Sequence, residues 1–376
     1  MKIIYTIAGL YRPAGMERIL TSKANYLSEH GYDVVIVTTE QKNRPLAFPL
    51  NQGIRCVDLE IGYEDNNGSS VWNKVLHYPG KQRRHRRTLR ALLLQEHPDI
   101  TVSMFCGDES FLPFITDGSR KILEVHFSRY KRLQYERTGL WGAIDRYRSK
   151  RETRIAARFD RFVVLTHEDY TYWGSPANGT VIPNFLEHIP QSPSDLTSRI
   201  VMAAGRLSHQ KAFNRLIDSW NIVIKRLPPG HGWKLYLLGN GELESDLKRQ
   251  IVDLDLADSA QIMAPTRAID SIYQKASIFV LTSRYEGLPM VLLEAQSFGI
   301  PAVAFDCKCG PRDVITNGED GFLIPEGDTI AFADALLTLI QNKELRIQMG
   351  MTARKNASRW DKETIMKQWI SLFQEI

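Results

Sequence analysis
The sequence predicts an α/β protein built from two Rossmann-like halves, and three observations lead to that class. The chain has 376 residues, more than one ordinary core takes in, so two domains are expected. In each half, short apolar and β-branched runs alternate with turns and amphipathic helices, the rhythm of buried parallel strands joined by crossover helices. Between the halves the composition turns to Pro, Ser and Asp. The expected boundaries are a first domain over 1–184, a linker over 185–198, a second domain over 199–359 and a closing helix over 360–376.

An apolar fraction of 43% with 24% charged residues is that of a soluble globular chain. No run approaches the roughly eighteen unbroken apolar residues of a membrane span. Met1–Gly9 reads as a short strand running into a turn rather than a signal peptide, which places the chain in the cytoplasm. Cys307 and Cys309 stand one residue apart with no second Cys or His pair at zinc spacing near them, so they read as free thiols, and no metal ligands are assigned. Residues 1–190 hold 27 Lys and Arg against 21 Asp and Glu, or +6; subtraction from the totals of 48 and 43 leaves 21 against 22, or −1, for the remainder. The positive excess therefore lies in the first half.

Lys2 to Ile7 reads as a strand, Gly9 to Gly15 as a loop, Glu17 to His30 as an amphipathic helix closed by Gly31, and Asp33 to Thr38 as the next strand. Gly15 sits at a strand-to-helix junction, where backbone can approach a ligand. Residues 40–75 are polar and irregular. The run from Lys81 to Arg90 then places Arg83, Arg84, Arg86 and Arg87 together. That cluster reads either as a solvated helix face or as a surface for anionic lipid headgroups, each basic residue near the membrane adding about 1 kcal/mol; nucleic acid ranks last, since no nucleic-acid module accompanies it. Pro98–Ser103 and Lys121–His126 are further strands. His126 ends its strand on the carboxyl edge, where open α/β sheets bind ligands. A basic stretch over 129–161, expected to be helical, carries Tyr130, Tyr135, Trp141 and Tyr147 and suits an acceptor, a membrane edge or a hairpin covering the sheet. Arg161–Thr166 is the last clear strand before the linker.

In the second half, Arg199–Ala204 is a strand followed by Gly205-Arg206-Leu207-Ser208-His209-Gln210-Lys211 and a helix from about Phe213. Arg206 and Lys211 put two cations at a strand end, where a diphosphate takes charge-assisted bonds from both. Trp233–Leu238 is the next strand, with Gly239-Asn240-Gly241 turning into a helix. Met263 ends a strand edge, and Ile269–Tyr273 is helical.

The stretch Ser283 to Ala295 packs a turn and a helix start behind the buried strand Ala276–Thr282. Gly287 is read as granting a backbone shape closed to other residues, and Pro289 as occupying the first helical turn, so that a helix opens at about Leu288. Its free N–H groups and dipole make an anion site. Glu294, about 9 Å along the axis at 1.5 Å per residue, and Glu286 ahead of the first turn are too far apart to share a proton. They can flank an elongated ligand with an anionic middle and hydroxyls at each side. Ile300–Phe305 is a further strand, leading to a Gly310-Pro311 turn and Asp313. The final helix carries Ile365, Trp369 and Phe373 on one stripe.

Glu286 and Glu294 resemble the E-x7-E motif of retaining glycosyltransferases of family four, and Gly205 to Lys211 resembles that family's G-R-L-x-x-x-K signature. The loop before Glu17 resembles its Gly-Gly loop, with Ala14 in place of the first Gly. The resemblance implies the GT-B architecture, in which two Rossmann-like domains face across a cleft, the second holds the donor and the last helix crosses back onto the first. It implies transfer of a sugar from a nucleoside diphosphate sugar, a UDP sugar, to a glycan or lipid-linked oligosaccharide in surface polysaccharide synthesis; with the basic segments, the expected place is the cytoplasm, at the inner face of the cell membrane. Catalysis would fall to Glu286, Arg206, Lys211 and His126, the last facing the donor sugar. Donor binding would fall to Gly15, Arg206, Lys211, Gly239, Met263, Glu286, Gly287, Leu288 and Glu294. No Asp-x-Asp motif stands at a suitable strand end, so no metal or other cofactor is expected. A GT-B nucleotide-sugar epimerase, a pyridoxal phosphate phosphorylase and a non-catalytic nucleotide-sugar binder are the alternatives.

Overall fold
The computed structural model describes residues 1–66, 71–131, 133, 138–266 and 268–376. Among them, thirteen strands form two sheets whose strand pairs are all parallel. The first sheet holds β1 (Lys2–Ile7), β2 (Asp33–Thr38), β3 (Arg55–Asp58), β4 (Ile100–Ser103), β5 (Arg120–Glu124), β6 (Arg161–Val164) and β7 (Gly179–Val181), in the order β3-β2-β1-β4-β5-β6-β7. The second holds β8 (Ile200–Ala204), β9 (Lys234–Leu238), β10 (Ala260–Met263), β11 (Ile278–Leu281), β12 (Ala302–Asp306) and β13 (Gly321–Pro325), in the order β10-β9-β8-β11-β12-β13.

Both orders reverse beside their first strand. Ile3 of β1 lies opposite Val34 on one side and Ile100 on the other, and Val201 of β8 lies opposite Leu235 and Ile278. The crevice of such a sheet opens at the carboxyl ends of the strands flanking the reversal. In the second domain those ends are Gly205 onward and Thr282 onward.

Strands buried on both faces need apolar residues at consecutive positions, and β1 supplies them. Ile3, Tyr5 and Ile7 pack with Ile19, Leu20 and Leu27 of helix Gly15–Glu29 on one face, while Ile4 joins Leu89 and Leu93 of helix Val71–Glu96 on the other. Three strands escaped the sequence reading, β3, β7 and β13, the last an edge strand with only Gly321 fully buried. β3 lies within the stretch expected to be irregular; it is an edge strand with Arg55 and Cys56 exposed, so no apolar run marks it. β7 has only three residues and forms the opposite edge. In the basic stretch the helix is confined to Gly139–Ala156, and Tyr135 lies outside the described residues. No helix among the described residues is long and apolar enough to cross a membrane.

Residues 185–198 are fastened rather than loose. Phe185 and Leu186 are buried, Ser194 Oγ donates to the Ala276 carbonyl at 2.6 Å, and the buried Arg346 donates to the Leu196 carbonyl from Nε and Nη2 at 3.3 and 3.2 Å. The chain returns through Trp360, whose carbonyl accepts from Leu186 N at 2.8 Å, so the outgoing and returning segments run side by side. Asp361 then caps the last helix, Lys362–Gln374, by accepting from Thr364 N at 3.0 Å. Ile365, Met366, Trp369, Leu372 and Phe373 enter the core of the first domain. Trp369 covers Lys23, whose Nζ lies 3.6 Å from a ring centroid and 2.6 and 2.7 Å from the two oxygens of Glu124.

Trp369→Ala removes a fully buried indole and the lid over an ion pair, so it should destabilise the first domain by about 3–5 kcal/mol, read as a lowered urea midpoint of that domain's transition.

Candidate active site
The site is assembled where β8 and β11 end side by side. Lys211 doubles back over the end of β8, close enough that a Cβ on Gly205 would stand 3.0 Å from Lys211 Cε. A side chain at 205 would push the lysine stem away. Lys211 Nζ reaches Glu286 Oε1 at 2.6 Å, and the same oxygen accepts from Ser283 Oγ at 2.5 Å. Gln210 Nε2 donates to the Tyr285 carbonyl at 3.0 Å and Arg284 N to the Gln210 carbonyl at 2.8 Å, so the two loops are tied by backbone as well.

The turn after Glu286 corrects two expectations. The helix runs over Met290–Ser297 with Pro289 as its N-cap, two residues later than expected, because Pro289 takes an extended ψ of 91°. Gly287 does not adopt a positive φ. Its missing side chain serves space instead: a Cβ there would lie 2.5 Å from the His126 carbonyl oxygen of the first domain. Leu288 turns its side chain into the second domain's core, which leaves only its backbone for a ligand.

His126 Nε2 lies 2.8 Å from Glu124 Oε1, so a proton on Nε2 donates to that carboxylate and fixes the ring. Burial pushes the Glu124 carboxyl up, but Lys23 and His126 outweigh it and hold it down at about 2. The chain Lys23, Glu124, His126 thus runs from the first domain's core to the cleft. Glu17, also buried, has its carboxyl raised by burial against the pull of Arg12 and His126.

Glu294 accepts from Arg18 Nη2 at 2.5 Å through Oε1 and from Tyr273 OH at 2.9 Å through Oε2. Arg18 lies on the first turn of the helix that Gly15 opens, so Gly15 is within one turn of a residue that spans the domains. A Cβ added at Gly15 would meet nothing within 4 Å.

The remaining residues stand apart. Arg206 is 76% exposed and pairs with Glu242 at 3.4 Å. Gly239 serves the packing of two loops, since a Cβ there would lie 1.9 Å from the Gly205 carbonyl oxygen, and its N–H donates to the Met263 carbonyl at 2.9 Å. Arg83, Arg84, Arg86 and Arg87 are exposed, and His85, Leu89 and Leu93 of the same helix are buried.

Sequence reasoning missed the seam that joins the domains. Cys309 Sγ donates to Asp169 Oδ1 at 3.2 Å, its N–H donates to Glu168 Oε2 at 3.0 Å, and Ser128 Oγ lies 3.2 Å from the same sulfur. Burial and the nearby Asp169 push the Cys309 thiol well up, which keeps the proton on sulfur for that bond. Asp313 Oδ1 accepts from His167 N at 3.0 Å. Arg18 carried a faint signal, as a cation one turn past a strand-end loop; Cys309 carried none, because its partners come from the other half of the chain.

Gly287→Ala forces a methyl against the His126 carbonyl, so the domains must part. A larger radius of gyration by small-angle scattering and a lower melting temperature are the expected outcomes.

Residues 184–356 match the family described as Glycosyl transferases group 1. Over 98% of each chain, the protein is 28% identical to the amylovoran biosynthesis glycosyltransferase AmsD of Erwinia amylovora. It is 24% identical, over 100% of this chain and 99% of the other, to the Campylobacter jejuni enzyme named GalNAc-α-(1→4)-GalNAc-α-(1→3)-diNAcBac-PP-undecaprenol α-1,4-N-acetyl-D-galactosaminyltransferase. Its fold superposes with a TM-score of 0.77, at 17% identity and over 99% of each chain, on S. aureus TarM solved with fondaparinux, α-GlcNAc-glycerol and UDP. With the paired parallel sheets and the cleft between them, these likenesses mark the chain as a glycosyltransferase of GT-B fold, with residues 184–356 similar to the glycosyl transferases group 1.

Proposed function
We propose that the chain is a retaining transferase that moves a hexose or N-acetylhexosamine from a UDP sugar to a glycan or lipid-linked acceptor in the synthesis of a surface polysaccharide. The observation that carries this reading is the Lys211–Glu286 pair, 2.6 Å apart at the reversal point of the second sheet, with Glu294 on the helix that follows. The relatives support the substrate classes: AmsD is named for amylovoran, the Campylobacter enzyme for an undecaprenol-linked acceptor, and TarM was solved with UDP.

In this reading the C1–O bond to the diphosphate breaks as charge develops on the leaving oxygen. Lys211 has three N–H donors, of which Glu286 takes one, so two remain for the diphosphate. Arg206, free to swing from its exposed pair with Glu242, supplies a second cation, and the amides at the start of helix Met290–Ser297 add their dipole. Fixed donors aimed at developing charge are usually the largest catalytic contribution, and with two cations in place no divalent ion is called for. Glu286 takes the sugar hydroxyls and Glu294 the ribose hydroxyls. His126 faces the donor sugar from the first domain. Lys211 and Ser283 both bond to one oxygen of Glu286, which lowers its nucleophilicity. That favours attack by the acceptor hydroxyl on the face the diphosphate leaves, its proton passing to a diphosphate oxygen, over a covalent intermediate on Glu286.

Assayed in EDTA with a panel of UDP sugars and lipid-linked acceptors, the wild-type chain should give a product of the donor's own α configuration by NMR; a β product would overturn retention. Lys211→Ala should lower turnover by two to three orders of magnitude with the far-UV CD spectrum kept.

The exposed arginines at 83, 84, 86 and 87 are proposed to hold the chain to anionic membrane. Helix Gly139–Ala156, which exposes Leu140, Trp141 and Tyr147, is proposed to add an apolar contact. Replacing the four arginines with Gln should weaken co-sedimentation with phosphatidylglycerol vesicles, and added salt should weaken the wild type likewise; binding indifferent to both would remove the proposal.

A further inference from the structure
Arg18 belongs to the first domain, yet it bonds to the carboxylate that the proposed function assigns to the ribose. The contact is short, 2.5 Å, and sheltered, with Glu294 only 17% exposed. On the other side of Glu294, Tyr273 is fully buried and stacked on Phe298 with ring centroids 5.2 Å apart, so its hydroxyl is a fixed point. An ionised carboxylate has about four lone-pair sites. Arg18 and Tyr273 use one on each oxygen, which leaves one on each oxygen for a vicinal diol. A cleft opens beside them, lined by Arg18, Phe185, His188, Asp270, Met290 and Glu294.

Resting on the reading of Glu294 as the ribose acceptor, we propose that Arg18 is a positioning residue for nucleoside recognition: it holds Glu294 in the orientation that presents both oxygens to the ribose, and does so only while the domains are closed. Tyr273 alone leaves the carboxylate free to turn about one bond. Two bonds from opposite domains fix its plane. Nucleoside binding and domain closure then stabilise one another, and linkage requires the effect to be reciprocal.

The test is calorimetric titration of the full chain with two probes, UDP and inorganic pyrophosphate, the second lacking a ribose. Arg18→Ala should weaken UDP binding tenfold or more and leave pyrophosphate binding within about twofold, as expected for the loss of a bond to a charged group. Arg18→Lys, which restores the charge but not the planar fork, should recover part of the loss. In a Glu294→Gln background, Arg18→Ala should weaken UDP binding by no more than about twofold further, because the two residues act through one another. Wild-type UDP affinity in Arg18→Ala, or equal losses for UDP and pyrophosphate, would overturn the proposal while leaving the donor reading in place. A wild-type chain that binds neither probe would remove the donor reading and this inference together.

Discussion
The close approach of Gly287 to the His126 carbonyl is the constraint on which the site depends. Backbone meets backbone there, so the spacing of the domains is set by atoms that cannot turn aside, unlike a side-chain contact. That spacing sets the His126 backbone against the turn that carries Glu286. Around it, the polar groups of one domain find their partners in the other. Cys309 is satisfied by Asp169, Glu168 and Ser128, and one oxygen of Asp313 accepts from His167 N. Burial raises the Asp169 carboxyl, and bonds from Arg129, Cys309 and Trp173 draw it back. Most of the polar groups hidden in this seam are thereby paired, as burial demands; Asp313 Oδ2 and Arg129 Nε and Nη1 are buried there without a partner among the described residues.

Two ion pairs with similar lengths have different work. Lys23 and Glu124 are sealed, at 0% and 1% exposure, and removing either partner would strand a charge in the core. Burial lowers the Lys23 ammonium and Glu124 raises it again, so the pair persists as an ion pair only because each partner compensates the other. Lys211 and Glu286 are a little more open, at 15% and 7%, and stand at a strand end rather than beneath one. There a cation can be shared with an incoming anion without first being dug out of a core. The first pair holds His126 in place; the second is available for chemistry.

Most of the architecture was legible because a doubly wound sheet announces itself in apolar runs. β1, β2, β8 and β11 are buried on both faces and read as continuous apolar segments. β3 did not, since an edge strand needs neither face fully covered. The elements that carry the second domain's candidate residues were legible for a related reason: Lys211 and Glu286 follow the ends of two neighbouring strands and Glu294 lies on the helix after the second, so their spacing along the chain reflects strand, turn and helix lengths. Contacts between domains were not. Arg18 and Glu294 are 276 residues apart, and nothing local to either residue foretells the other. The need for glycine at 287 was read correctly as a need, but for conformation rather than room, because crowding by a distant carbonyl leaves no mark on the neighbouring sequence.

The side-by-side course of Leu186 and Trp360 makes the second domain topologically an insert within the first. Its two attachment points lie one hydrogen bond apart, so the piece between them could be lifted out of one such chain and set into another without stretching either connection, as domain insertion tolerates when the termini lie close together. Swapping of whole second domains between first domains is thereby open to this architecture by recombination, with the Lys23–Trp369 packing left untouched in the recipient.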